Sequence, residues 1–306
     1  DILGSRQNSL PTTFSLSLPQ ENYGIINAQG ADLTIGWHDK TGNVDWYASL
    51  NASYGWNKVI AKDYPISYLP WQIPVGKATN YIAGYSASII RTAAELAAWQ
   101  AANPNYVNPG NGNTAVGLGS MVYADKSGQT GQPDGVINNY DQKVLYANPN
   151  PVVYGLNLGA NWKGFSMEAV FSGLIHNPKN FFELADYYGG QMWNTAWINQ
   201  SWTPSNSNAP LPRVVPRDYR SYSITNSSFW YQDASFIRLK SLNIGYTFHF
   251  NNSLGDAIKS IRIFTSGTNL FYLSKFKYWD PELNPGWSGI GYPIMRTFSL
   301  GANVNF

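Results

Sequence analysis

The sequence predicts an all-β fold: an antiparallel transmembrane β-barrel segment of about eight long strands with long extracellular loops. Three observations predict it. Stripes of apolar and polar residues alternate strictly, the connections between stripes alternate short and long, and aromatic residues gather at the stripe ends. Composition sets the frame. Of 306 residues, 43% are hydrophobic, 15% aromatic and only 12% charged, against ~25% charged in ordinary soluble domains. Mean hydropathy is −0.29, and no run of ~18 apolar residues occurs, which excludes a helical membrane protein. A chain this rich in aromatics is not a disordered one. Twenty basic and 18 acidic residues leave a net charge of +2 with no basic cluster, so no nucleic-acid partner is expected. With no cysteine, disulfides and thiolate metal sites are excluded. The chain opens at Asp1 without a signal-peptide pattern, and the expectation is a processed chain or a piece of a longer one.

The strands follow in order. A first, weaker one covers roughly 25–38, with Leu33, Ile35 and Trp37 on one face. From Val44 to Trp56 every even position is apolar, with Asp45, Tyr47, Ser49, Asn51, Ser53 and Gly55 between. Side chains on a strand alternate between faces, so this ribbon has one apolar and one polar side. It exceeds the ~5–6 residues of an ordinary strand and the ~9–11 that cross a bilayer with tilt. Tyr154, Leu156, Leu158, Ala160 and Trp162 repeat the pattern; after Lys163-Gly164 it resumes in Phe165, Met167, Ala169 and Phe171, which reads as a tight hairpin. Leu242, Ile244, Tyr246, Phe248 and Phe250 form another stripe, Ile261–Leu273 a weaker one, and Phe298, Leu300, Ala302, Val304 and Phe306 the last. All 18 prolines lie outside the cores of these strands, as ladder hydrogen bonding requires.

The connections are short at 39–43, long at 59–150, two residues at 163–164, long at 177–231, short at 251–260 and longer again at 274–293. A soluble sandwich gives no reason to gather its long loops at one end, whereas an outer-membrane barrel has short periplasmic turns and long extracellular loops. Trp37, Trp46, Trp56, Trp162 and Phe250 sit near strand ends, where two interfacial girdles belong. The competing reading is the ordinary core of a soluble β-sandwich.

Several blocks resemble the closing region of SusC-like TonB-dependent outer-membrane transporters. They are Asp233–Tyr246 (DASFIRLKSLNIGY), Ser266–Phe271 (SGTNLF), Tyr278–Glu282 (YWDPE), Gly291–Phe298 (GYPIMRTF) leading to Phe306, and Asn148–Pro151 leading into Tyr154-Gly155. Together they cover most of 120–306, and residues 1–60 fit more loosely. The resemblance implies that 1–306 is the C-terminal part of such a transporter. A plug domain, a TonB-box region and the N-terminal part of a barrel of ~22 strands would then lie outside this chain. An isolated arc would leave two unpaired edges in lipid, so the rest of the barrel has to come from elsewhere.

Candidate chemistry is sparse. Asp125-Lys-Ser-Gly128, then Asp134-Gly135 through Asn138 to Asp141, resembles an EF-hand-like calcium loop of hard oxygen ligands. Asp134, Gly135 and Asp141 keep the second half of that spacing. Residues 129–133 interrupt the first half and displace Asp125, and the last ligand position holds Asp rather than Glu. The related transporters often carry the uninterrupted version. Calcium is therefore a possible cofactor through Asp125, Asp134, Asn138 and Asp141, with a metal-free Asx turn as the alternative. No catalytic set is visible: His38, His176 and His249 are scattered, Glu183 and Asp186 read as surface carboxylates, and no phosphate loop occurs. No enzyme is expected. The loop 177–231 holds Tyr187, Tyr188, Trp193, Trp197, Trp202, Trp230, Arg213 and Arg217. Sugar faces stack on aromatics and guanidinium forks bind hydroxyls or carboxylates. Trp193, Trp197, Trp202, Arg213 and Arg217 are accordingly the candidate substrate contacts, with self-packing of the loop as the alternative. Ala93–Ala102 has high helix propensity and ends at Asn103-Pro104.

The resemblance implies active import of glycan or oligopeptide nutrients across the bacterial outer membrane. TonB would supply energy, and a SusD-like lipoprotein would cap the mouth. Two other classes stand beside it. A soluble or surface carbohydrate-binding β-protein predicts two sheets packed face to face, and a passive porin predicts no plug and no need for TonB.

Overall fold

The computed structural model describes residues 2–5, 19–106, 116–182, 195–214, 226–250, 257–283 and 292–306. In chain order the strands are β1 (Ile2–Ser5), β2 (Gln20–Thr41), β3 (Val44–Ala61), β4 (Ile82–Gly84), β5 (Ala87–Ile89), β6 (Met121–Tyr123), β7 (Lys143–Tyr146) and β8 (Val152–Trp162). They continue with β9 (Phe165–Ile175), β10 (Pro178–Asn180), β11 (Tyr231–Asp233), β12 (Phe236–His249), β13 (Ser260–Ser274) and β14 (Thr297–Asn305). Helix α1 covers Ala93–Ala102 and helix α2 Thr195–Gln200.

Eight strands form one sheet in the order β1-β2-β3-β8-β9-β12-β13-β14, every pair antiparallel. Each pairs with the next wall strand along the chain, the meander of an up-and-down barrel wall. The other three sheets are two-stranded and lie in the long connections. Among the described residues no second large sheet faces this one, so the two-layer sandwich is not the architecture. The weak strand expected over 25–38 is longer, Gln20–Thr41. Its ladder with β3 runs from Ile25↔Ala61 to Thr41↔Val44, through polar ends where the alternation fades. The four-residue β1 is too short to leave a periodic signal. Phe250 falls just beyond β12.

The hairpin turns obey local sterics. Lys163 and Gly164 have φ of 45° and 90°, the doubly left-handed turn whose twist suits a two-residue hairpin. The register then aligns side chains into rungs across the wall. One apolar rung is Ala48, Leu158, Ala169, Leu242, Gly267 and Phe298; the next toward the turns is Trp46, Ala160, Met167, Ile244, Thr265 and Leu300. From the Val44 rung to the Ala52 rung this face carries no charge on β3, β8, β9, β12, β13 or β14. The opposite face holds Asp45, Glu168, Arg238 and Arg262. Large side chains on the uncharged face are bare: Leu300 is 81% exposed and Phe298 73%.

A bulge in β12 modifies the pattern. Leu239 pairs with Phe171 and Ser241 with Val170, leaving Lys240 as the extra residue. A one-residue insertion exchanges the two faces. Above it, Ile237 and Leu239 continue the apolar face, while Phe236 and Arg238 turn to the polar one.

Aromatics collect at two heights. Trp37, Trp46, Trp162 and Phe165 lie at the short-turn end; Tyr54 and Trp56, stacked at 5.3 Å, lie with Tyr154 at the other. Ten residues separate Trp46 from Trp56, and at ~3.4 Å per residue with a tilt of ~40° that is a rise of about 25 Å, the height of the apolar band in membrane barrels.

The packed core lies in the connections, above the wall. Met121, Tyr123, Ile137, Phe181, Phe182, Leu211, Trp230, Ala234 and Phe276 form one buried cluster, flanked by Tyr85, Tyr106, Tyr278 and Trp279. These residues come from all three long connections, which therefore fold together into a single cap.

Candidate functional site

Two surfaces can meet a solute: the polar face of the wall and the cap above it. On the wall, Tyr47 crosses β8 to place its hydroxyl 3.3 Å from Glu168 Oε1. Only glycine permits this crossing, because a Cβ on Gly159 would lie 2.1 Å from the ring. Arg262 Nη2 donates to Ser166 Oγ at 3.1 Å and Asn243 Oδ1 at 2.9 Å, and His38 Nε2 meets Asp45 Oδ1 at 2.7 Å. Tyr47, Glu168, Arg262, Ser166, Asn243 and Asp45 border an open cleft of about 560 Å³. Such a face is wet, and it is the side on which a barrel of this kind keeps its lumen.

The cap is fastened to the wall by an ion cluster. Arg238, only 2% exposed, pairs through Nη2 with Asp280 Oδ1 at 2.5 Å. Its Nε lies 2.8 Å from Glu282 Oε2, off the N–H axis and so without a hydrogen bond. Lys240 Nζ meets Glu282 Oε1 at 2.9 Å. The Arg238 guanidinium also lies 4.9 Å from the Tyr272 ring centroid. Lys179 Nζ donates to the carbonyls of Pro281, at 2.6 Å, and Leu283. Segment 280–283 is thereby held from three points. Both the FIRLK and the YWDPE blocks stand out in the sequence, but nothing in their spacing joins them. The available signal was an arginine amid apolar strand residues, whose charge demands a buried partner.

Within the cap, Phe181 stacks on Tyr278 at 4.3 Å, and Trp230 is ringed by Phe181, Phe182 and Phe229. Burial pushes the Tyr106 phenol up to about 12, and its oxygen accepts the Tyr123 N–H at 3.0 Å. It is a packing group that stays protonated.

No protein-family model matches the chain. Its sequence is 25% identical to the TonB-dependent receptor P26 of Formosa agariphila, over 97% of this chain and 31% of that protein. It is 26% identical to the TonB-dependent receptor SusC of Bacteroides thetaiotaomicron, over 60% of this chain and 17% of that one. The solved RagAB peptide transporter superposes with a TM-score of 0.62 at 19% identity, over 97% of this chain and 31% of its own. The chain is a homologue of the SusC-like TonB-dependent receptors. It spans about a third of the length of the first of these relatives, and it is a segment of an outer-membrane β-barrel.

The expected contact residues of this receptor homologue fall in several places. Trp202 is buried in the cap: its ring packs on Gly119, where a Cβ would lie 2.5 Å from it, and its Nε1 donates to Arg91 O at 3.3 Å. Arg213 comes to the same turn, its N–H bonded to Gly119 O at 2.8 Å and its guanidinium beside Gly117. Trp202 and Arg213 are therefore brought together, and Trp202 has the self-packing role. Trp197 belongs to α2, its side chain outside the described residues. Trp193 and Arg217 lie outside the described residues altogether, as do Tyr187, Tyr188, Glu183 and Asp186.

The acidic loop of the receptor homologue folds around Asp141, which is fully buried. Its Oδ1 accepts the N–H groups of Lys126 at 2.7 Å and Ser127 at 3.1 Å, and its Oδ2 that of Asn138 at 2.8 Å. Asp134 Oδ1 accepts from Val136 N–H, Asn138 Oδ1 from Tyr140 N–H and Asp125 Oδ2 from Gly135 N–H. Burial raises the Asp125 carboxyl; the Gly135 N–H opposes this, and the Asp141 and Asp134 charges add to the rise. Calcium takes ~6–8 oxygens. Here one carboxylate oxygen, Asp125 Oδ1, is buried without a partner. Among the described residues no three Asp, Glu or His side chains converge as a metal site. The carboxylates as arranged accept backbone amides.

Proposed function

We propose that this chain forms the C-terminal part of the wall and the extracellular cap of a TonB-dependent importer of glycan or oligopeptide nutrients, working with a SusD-like lipoprotein. The observation that carries the reading is the sorting of charge by strand phase, an uncharged face toward lipid and an ionic face toward a lumen, in a chain homologous to TonB-dependent receptors. The wall then supplies a wet surface for passage and the cap a folded rim for docking. A plug and further strands complete the barrel. Trp193, Trp197, Arg213 and Arg217 are the proposed solute contacts; Trp202 serves to pack the cap. Transport here is binding and gated passage, with no covalent step.

The test is uptake of a labelled oligopeptide or glycan by cells that have this receptor as their only route, with and without TonB. Uptake should cease when TonB is removed. Persistence without TonB makes the protein a passive pore, and recovery of the chain from the aqueous fraction without detergent returns it to a carbohydrate-binding β-protein.

A further inference from the structure

The geometry points to a binding site for a phosphate-bearing lipid of the outer leaflet, on the lipid-facing side of the wall where β9, β12 and β13 meet the cap. It rests on the membrane setting and does not depend on what is transported. An open cleft of about 790 Å³ lies there. Its floor and rims follow from register. Ile237 pairs with Gly173 on one side and Leu273 on the other, and Tyr154 also pairs with Gly173, so Tyr154, Ile237 and Leu273 share one rung of the uncharged face. Gly173 makes the depression. A Cβ there would lie 2.2 Å from the Phe236 carbonyl oxygen and 2.5 Å from the Tyr154 ring. The phenol therefore lies across β9 and donates to Phe236 O at 3.0 Å. Ile175, 54% exposed, and Leu273, 65% exposed, stand as apolar walls.

Charge then changes in one step. Phe271 and Leu273 share one phase of β13, and Lys275 follows one residue beyond the end of the strand, so the cation comes directly after the apolar wall at the long-connection end. Lys277 also lines the cleft, its Nζ tied to Ser274 O at 2.9 Å. Both lysines are exposed, and among the described residues neither forms an ion pair with a carboxylate. Asp233 is the one carboxylate in the cleft lining, and its hydrogen bonds run to groups other than the lysines. One of its oxygens accepts the Asn177 N–H at 3.0 Å, the Ser235 N–H at 3.1 Å and the Ser235 hydroxyl at 2.6 Å. With two ammonium groups against the one Asp233 carboxylate, the rim keeps a net positive charge above an apolar groove, which matches an anionic headgroup above an acyl chain. The face is continuous with the lipid-exposed stripe, so the occupant arrives by lateral diffusion in the leaflet.

The test uses the whole receptor purified in detergent, delipidated and placed in nanodiscs. Lipid A with two phosphates is the probe, and native mass spectrometry and titration are the readouts. Wild type should retain it, and Lys275→Gln/Lys277→Gln should weaken retention at least tenfold. Lys259→Gln at the opposite end of the wall should change nothing, and heat-modifiable mobility checks that each barrel is folded. Dephosphorylated lipid A should bind like the double variant. Equal retention by wild type and double variant overturns the proposal, as does equal affinity for the dephosphorylated lipid. Displacement by millimolar inorganic phosphate also overturns it, by making the site a free-anion site.

Discussion

Arg238 shows how much one side chain can decide. It is buried at the wall–cap junction, and Asp280 and Glu282 answer it from a loop 42 residues on. Removing one partner of a buried pair leaves the others uncompensated. Both carboxylates keep some solvent, at 16% and 30% exposure, so Arg238→Ala should cost about 3 kcal/mol, the low end for such losses. Hydrogen exchange across 276–283 should accelerate accordingly, and Arg238→Lys should recover only part, since an ammonium lacks the planar fork. Unchanged protection would remove the clasp. Asp233 carries a pH signature. Burial raises its carboxyl, but Ser235, Asn177 and the nearby His176 outweigh this and hold it below the ordinary value. A carboxyl with a lowered folded pKa stabilises fully above ~3.9 and loses that contribution as pH falls through the folded value. Protection at 176–178 should therefore weaken below about pH 4, and Asp233→Asn should flatten that response. Asp125, raised, has the opposite sign: its protonated form suits the fold, and that contribution fades as pH rises through its folded pKa. These residue-level facts were the least legible in the sequence. The partner of Arg238 is set by how a loop returns to the wall, and no local spacing encodes that. Trp202 looked like a solute contact because an aromatic in a polar loop can stack on a sugar or on its own backbone, and only the position of Gly119 distinguishes the two.

Elements were far more legible, because a strand with two different solvents writes its period into composition. The stripes at 44–56, 154–162 and 165–171 lie within β3, β8 and β9. Helix α1 spans the expected Ala93–Ala102, with Thr92 and Glu95 forming a reciprocal capping box. What the period could not reveal was the β12 bulge, since Lys240 breaks the phase in a stretch where both faces carry apolar residues. The two-faced ribbon makes a paired prediction. Leu158→Arg puts a charge in the middle of the lipid band and should cost about 2–4 kcal/mol of stability in vesicles. Asn157→Arg, one residue away on the lumen face, should cost little. Equal losses would mean the faces are misassigned. The 125–141 loop makes another. Its carboxylates already accept backbone N–H groups, so millimolar calcium should leave its thermal protection unchanged. A concentration-dependent rise, as ligand linkage requires, would show that the loop opens to take an ion.

At the scale of the molecule, the wall and the cap are stabilised by different solvents. The wall exposes apolar rungs to lipid, whereas the cap withdraws nine apolar residues from water. Those nine come from three loops separated by long stretches of chain. Each loop tip reaches the outside only after its own hairpin has crossed the bilayer, so the cap nucleus cannot assemble before the last of the three has arrived. Insertion and cap closure therefore become ordered events. A hairpin stalled at the inner surface leaves Trp230, Phe181 and Phe276 without their mates, and an unfinished receptor shows itself as a protease-sensitive tuft on the cell surface.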